Sequence, residues 1–129
     1  MQAANTLTAR WCSHMGGEEY ALSGAGLWPL LALLASAADS LAAAELATVL
    51  GRPTESAQQE ALEIIDLLRG GLSTTAASGI WTRKGVPLDD DWASPLPKEV
   101  LGALTNQAAL DRWADEQTGG LIDKFPIAI

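Results

Sequence analysis

The sequence predicts an α+β fold in which helices dominate and a few short strands are interspersed. Three observations lead there. Apolar residues recur at three- and four-residue spacing along several long stretches, of which "TESAQQEALEIIDLLRGG" is the clearest. Glycine pairs and Gly–Pro combinations punctuate these stretches where helices would stop. Only "EEYALS", "STTAASGIWTR" and "EVLGALT" have strand character, and each is short. With 129 residues, 48% hydrophobic and 19% charged, the chain suits one globular domain over 1–129.

Taken in order, residues Asn5 to His14 read as a first helix, ended by Gly16 and Gly17. "EEYALS" reads as a brief strand that leads into Ser23, a good capping residue. The next helix is expected to start near Gly26 to Pro29, since proline is tolerated in a first turn where its missing N–H costs nothing. Leu27, Leu30, Leu31, Leu33 and Leu34 leave no polar face, so burial all round is expected. Ser40 or Leu41 opens a third helix with Leu46, Val49 and Leu50 on its apolar side and Gly51 and Pro53 as its stop.

The fourth helix carries Ala61, Leu62, Ile64, Ile65 and Leu68 as its apolar stripe, opposite Gln59, Glu60, Glu63 and Asp66. Ser56 and Gln59 have the spacing of a capping box, and Gly70 and Gly71 end the helix. A strand over Ile80 to Arg83 follows, then a turn at Gly85 to Pro87. "DDDWAS" reads as a short helix with its acids at the positive N-terminal end, and Pro95 and Pro97 limit its extension. After a weak strand in "EVLGALT", Thr105 or Asn106 caps a last helix along which Leu110, Trp113, Ala114 and Gln117 share a face. The strands lie too far apart for simple hairpins, so their partners are expected outside these residues.

Charge and composition exclude several functions. The net charge of −8 repels phosphate backbones and no Lys/Arg cluster overrides it, so nucleic acid is not an expected partner. The charge-free run from Ala25 to Ala38 is shorter than the roughly 18 to 20 residues of a membrane span. No signal peptide is read between Met1 and Tyr20, and the compartment stays unassigned. A single Cys12 excludes an internal disulfide framework. With His14 it makes only half of a metal site, so no metal and no cofactor are expected. The one histidine has no marked nucleophile or acid partner, and an enzyme is not expected. Asp89 to Asp91 lack the alternation and terminal Glu of a calcium loop.

Three segments together resemble the N-terminal portion of a serpin, the family of large serine-protease inhibitors. In serpins the corresponding last helix ends in Ile-Asn-x-Trp-Val, three variable positions and Thr-x-Gly-x-Ile. Here Leu110, Asp111, Trp113, Ala114, Thr118, Gly120 and Ile122 fill that pattern, with Asp111 for the usual Asn and Ala114 for Val. Ser23, Gly24, Gly26 and Leu27, then Ala37, Ala38, Ser40, Ala42, Glu45 and Leu46, then Val49 and Leu50, keep the register of a second family segment. Its Pro, second Ser, both Gly and Thr are replaced. "SGIWTRKGVPL" resembles the family's strand and turn before a short helix, with Ile80 and Trp81 in the apolar strand positions. The resemblance spans Asn5 to Phe125 and points to a divergent bacterial-type member.

The resemblance implies the N-terminal helical part of the serpin fold, incomplete relative to the whole, and inhibition of a serine-type endopeptidase by insertion of a cleaved reactive-centre loop into a large central sheet. It places loop, hinge and insertion site after the last helix, so residues 1–129 are expected to carry no reactive centre and not to inhibit alone. A serine protease is then a partner only with a C-terminal part present. By the same resemblance Ser23 and Gly26 match positions under the central sheet that govern its opening. Gly26 offers no hydroxyl there, and the preferred reading of Ser23 is simply a helix cap. Trp113 is expected to anchor the last helix to the sheet. The alternative is an interaction module that uses exposed strand edges for self-association or to bind a complementary chain.

Overall fold

Ser23, Asp39, Asp89 and Asn106 each turn a side-chain oxygen onto a backbone amide one helical turn ahead, those of Gly26, Ala42, Trp92 and Ala109. Each carboxylate, amide or hydroxyl thereby satisfies a donor that the helix itself leaves unpaired, and four helices begin where these residues stand. In the computed structural model, which describes residues 1–17 and 21–129, the chain forms two compact units, Met1–Leu67 and Leu68–Ile129. The fold is helix-rich α+β. No helix among the described residues is long and apolar enough to cross a membrane.

The first unit begins with α1, Gln2–Cys12, which buries Ala4 and Leu7. It starts three residues before the expected Asn5 and stops short of His14, because Ser13 turns its hydroxyl back to the Arg10 carbonyl. Of the strand expected in "EEYALS", Glu18, Glu19 and Tyr20 lie outside the described residues, while Ala21 and Leu22 are irregular. Helix α2, Gly24–Ala37, follows directly on Ser23. Pro29 therefore lies beyond the first turn rather than in it, and its missing N–H leaves the Ala25 carbonyl without an intrahelical partner.

Helix α2 packs against α1 and against α3, Ser40–Leu50. Trp28, Pro29, Ala32, Leu33 and Ala35 are buried there, but Leu34 is 52% exposed and Leu27, Leu30 and Leu31 are only half-buried. The expected burial all round is thus corrected: α1 and α3 pack on α2, yet Leu34 stays exposed and Leu27, Leu30 and Leu31 are covered only in part. The expected apolar side of α3 is corrected likewise, since Leu50 is buried whereas Leu46 is half-buried and Val49 is 42% exposed. Gly51, at φ +64°, ends α3 in the left-handed conformation. The Leu50 carbonyl beside it accepts a bond from the buried Trp28 indole at 3.1 Å.

Where α1 crosses α2 the backbones nearly touch at Gly24. A Cβ there would meet the Ala4 carbonyl and the Thr8 hydroxyl, and the Gly24 amide donates to that hydroxyl at 2.8 Å. Helix α4, Thr54–Arg69, buries Ala57, Ala61, Ile64 and Ile65. It starts two residues before Ser56, so the expected capping box does not form. Ser56 donates instead to Glu60 at 2.8 Å and Gln59 to Glu63 at 3.2 Å, along the exposed face.

The second unit contains β1, Ile80–Arg83, then α5, Asp90–Ala93, β2, Leu101–Leu104, and α6, Gln107–Thr118. The expectation that the strands find their partners elsewhere is corrected. β1 and β2 pair with each other in parallel, Ile80 opposite Leu101 and Arg83 opposite Leu104. Residues 84–100, with α5 among them, exceed the roughly dozen residues a parallel crossover needs. Trp81 lies across this sheet: its indole occupies the space a Cβ would need at Gly79 and at Gly102, the residue opposite it. Leu96, Val100, Leu110 and Ala114 make the buried core.

Candidate functional site

The positions singled out at the end of α6 are brought together, and with them a side-chain set that the sequence reading did not assemble. Leu110 and Ala114 are buried, which turns the adjacent stripe of α6, Gln107, Asp111, Ala114 and Thr118, along the returning chain. Thr118 donates its hydroxyl proton to the Ala114 carbonyl at 2.7 Å and accepts the Ile122 amide at 2.9 Å. Between them Gly119 and Gly120 take φ +61° and +83°, and the Gly120 amide reaches back to the Asp115 carbonyl at 2.9 Å. This is the glycine-terminated helix end in which successive left-handed residues reverse the chain.

Residues beyond the reversal lie back along α6, held by side chains of its first turns. Asp111 Oδ1 accepts the Phe125 amide at 3.0 Å and the Gln107 side-chain amide at 2.9 Å. Gln107 in turn accepts the Ile129 amide at 3.0 Å through Oε1 and donates to the Ile127 carbonyl at 3.4 Å. The bond from Gln107, then that from the Phe125 amide, hold the Asp111 carboxyl below its ordinary value of 3.8, with a smaller contribution from the Lys124 charge.

Three aromatic rings close this arrangement. Trp81 of β1 and Trp113 of α6 meet edge to face, centroids 4.6 Å apart at 90°, and Phe125 sits 5.5 Å from Trp81 and 6.2 Å from Trp113. The Trp113 indole donates to the Glu99 carbonyl at 3.4 Å, and Glu99 pairs with Arg69 at 3.7 Å. Strand, helix and returning segment are thus joined through rings as well as through the bonds to the returning backbone. Ile122 remains 46% exposed, so in this arrangement it contributes its amide rather than a buried side chain.

No protein-family model matches the chain, and neither a curated protein nor a solved structure matches it. The geometry therefore stands by itself. In the first unit the Ser23 hydroxyl accepts the Gly26 amide at 3.3 Å as a helix cap, and a Cβ at Gly26 would meet open space. Ser23 and Gly26 are exposed and far in sequence from Thr118 and Asp111; each unit carries its own group. Among the described residues no cluster of His, Cys, Asp and Glu could hold a metal ion. His14 bonds Arg10's carbonyl at 2.7 Å and Ser13's hydroxyl at 3.2 Å, while that hydroxyl is itself committed to the Arg10 carbonyl at 2.6 Å. The set at α6 holds a segment of backbone against a helix and a two-stranded sheet.

The missed residues are Gln107 and Phe125, and Asp111 was named only as a departure from the family pattern, without this role. Their signal was available as the spacing Gln107, Asp111, Thr118 on one helical stripe, three hydrogen-bonding side chains in a row.

Proposed function

We propose that residues 1–129 are the N-terminal part of a serpin-type inhibitor of serine endopeptidases, one whose reactive centre is carried by other residues. The observation that supports this reading is the way Leu110, Trp113, Thr118, Gly120 and Asp111 serve the end of α6: a buried anchor, a ring on the sheet, a reversal and a clasp on the returning chain. The reading rests on the order of three segments and on this geometry, not on a match to a known protein.

In such an inhibitor the protease serine attacks a loop carbonyl, the amine side of that bond leaves, and the acyl-enzyme is trapped as the cut loop enters the sheet. No step of that chemistry falls on residues 1–129. Their part is to supply strands and the helix that lies on them.

A second reading is favoured by one observation. Among the described residues β1 and β2 form a sheet of two strands, so each presents an outer row of backbone donors and acceptors. Two-stranded sheets are marginal in water, and such rows pair readily with another strand. On this reading the chain is a module that takes up a strand from a second copy or from a complementary chain. The coding sequence downstream of Ile129 separates the two. A frame that encodes a small-residue hinge and an exposed loop supports the inhibitor; an immediate stop contradicts it and leaves the module.

A further inference from the structure

The partly covered side of α2 is one wall of a groove of about 360 Å³ within the first unit, in the size range of small-molecule sites. Its apolar lining comes from three helices: Leu7 and Trp11 of α1, Leu27 and Leu31 of α2, and Val49 of α3. Its polar lining is Arg10, His14 and Thr48.

Arg10 is set there by structure. Its Nη1 donates to the Thr48 carbonyl at 3.2 Å, which draws the guanidinium across the gap between α1 and α3 and leaves its other N–H groups unused by that bond. Among the described residues the ion pairs are Arg52 with Glu60 and Arg69 with Glu99, and neither involves Arg10. In a chain of net charge −8, Arg10 stands at this apolar groove with no carboxylate paired to it among the described residues. Beside it, His14 Nδ1 lies 2.7 Å from the Arg10 carbonyl and so carries the hydrogen in that bond, which turns Nε2 away from the helix end.

We propose that this groove binds a small amphipathic carboxylate, its hydrocarbon body along Leu27, Leu31 and Val49 and its anionic head on the Arg10 guanidinium. An apolar ligand alone would use the walls but not the cation. A second copy is the rival occupant, and it would move the same residues on concentrating the chain without ligand. This inference is independent of the inhibitor reading, which assigns no ligand to the first unit.

The test is a nitrogen-15 NMR titration of the 129-residue chain with octanoate, and in parallel with the uncharged 1-octanol. Saturable shifts are expected at Arg10, Trp11, Leu31 and Val49, with octanoate bound roughly tenfold more tightly than octanol, the scale of one charge-assisted hydrogen bond. Arg10→Gln should abolish that preference while leaving octanol binding in place, and Arg10→Lys should retain part of it. Val49→Trp, at a half-open position that tolerates a larger side chain, should fill the groove and remove both. Equal affinity for the two compounds, an undiminished preference in Arg10→Gln, shifts confined to other residues, or no saturation overturns the proposal. Shifts of the same residues on concentrating the chain without ligand also overturn it, since a second copy then occupies the groove.

Discussion

The Asp111 carboxylate reaches from the second turn of α6 to the Phe125 amide, 3.0 Å away and beyond the helix's end, and so pins the returning chain against the helix it has just left. The Phe125 ring then completes the cluster with Trp81 and Trp113. Replacing Asp111 by Ala removes the acceptor and leaves Gln107 without its partner. The Phe125 amide should then exchange with solvent faster, while amides within α2 keep their rates. Unchanged exchange at Phe125 would show that the rings alone hold the segment.

The same bonds make the clasp sensitive to acid. Because the folded state holds the Asp111 carboxyl below 3.8, its contribution is complete above the unfolded value and is lost as pH falls through the lower folded one. Protection of the Phe125 amide should therefore be flat from pH 7 to about 4 and decline below that. In Asp111→Asn the decline should vanish, because the titrating acceptor of the Phe125 amide is gone.

Thr118→Val removes a hydroxyl that both donates to Ala114 and accepts from Ile122, at nearly constant volume. A loss of about 1 kcal/mol is expected in urea unfolding, with faster exchange at the Ile122 amide. Gly120→Ala, at φ +83°, should cost a similar amount, about 1–2 kcal/mol, through backbone strain alone.

Gly24→Ala tests the closest approach in the first unit. The added methyl meets the Ala4 carbonyl and displaces the Thr8 hydroxyl from the Gly24 amide, so α1 must shift. A destabilisation of about 1–3 kcal/mol is expected, against near neutrality for Gly26→Ala, where the methyl meets open space. Comparable costs at the two positions would mean that the α1–α2 crossing is not set by this contact.

Local signals were read well where one residue decides the outcome. Asn106 before α6, Gly51 after α3 and the Ile80–Arg83 strand are visible because capping, a left-handed stop and β-branched or aromatic clustering are properties of a few adjacent residues. What escaped depends on neighbours. The Leu-rich run of α2 shows no polar face, yet how much of it is covered is decided by α1 and α3, which cover it only in part. The mutual pairing of β1 and β2 escaped because a parallel crossover has no turn signature of its own. At the α6 clasp the glycines and Thr118 were legible as a motif, whereas the partners of Asp111 and Gln107 lie across a chain reversal.

The most direct test of the central claim is a protease challenge of the polypeptide encoded by the complete reading frame, beside residues 1–129 alone. Both are incubated with trypsin and with subtilisin and resolved in denaturing detergent. The account predicts a band at the summed mass of protease and inhibitor for the complete polypeptide and none for residues 1–129. A complete polypeptide that is only cleaved, or a summed-mass band from residues 1–129 alone, would contradict it.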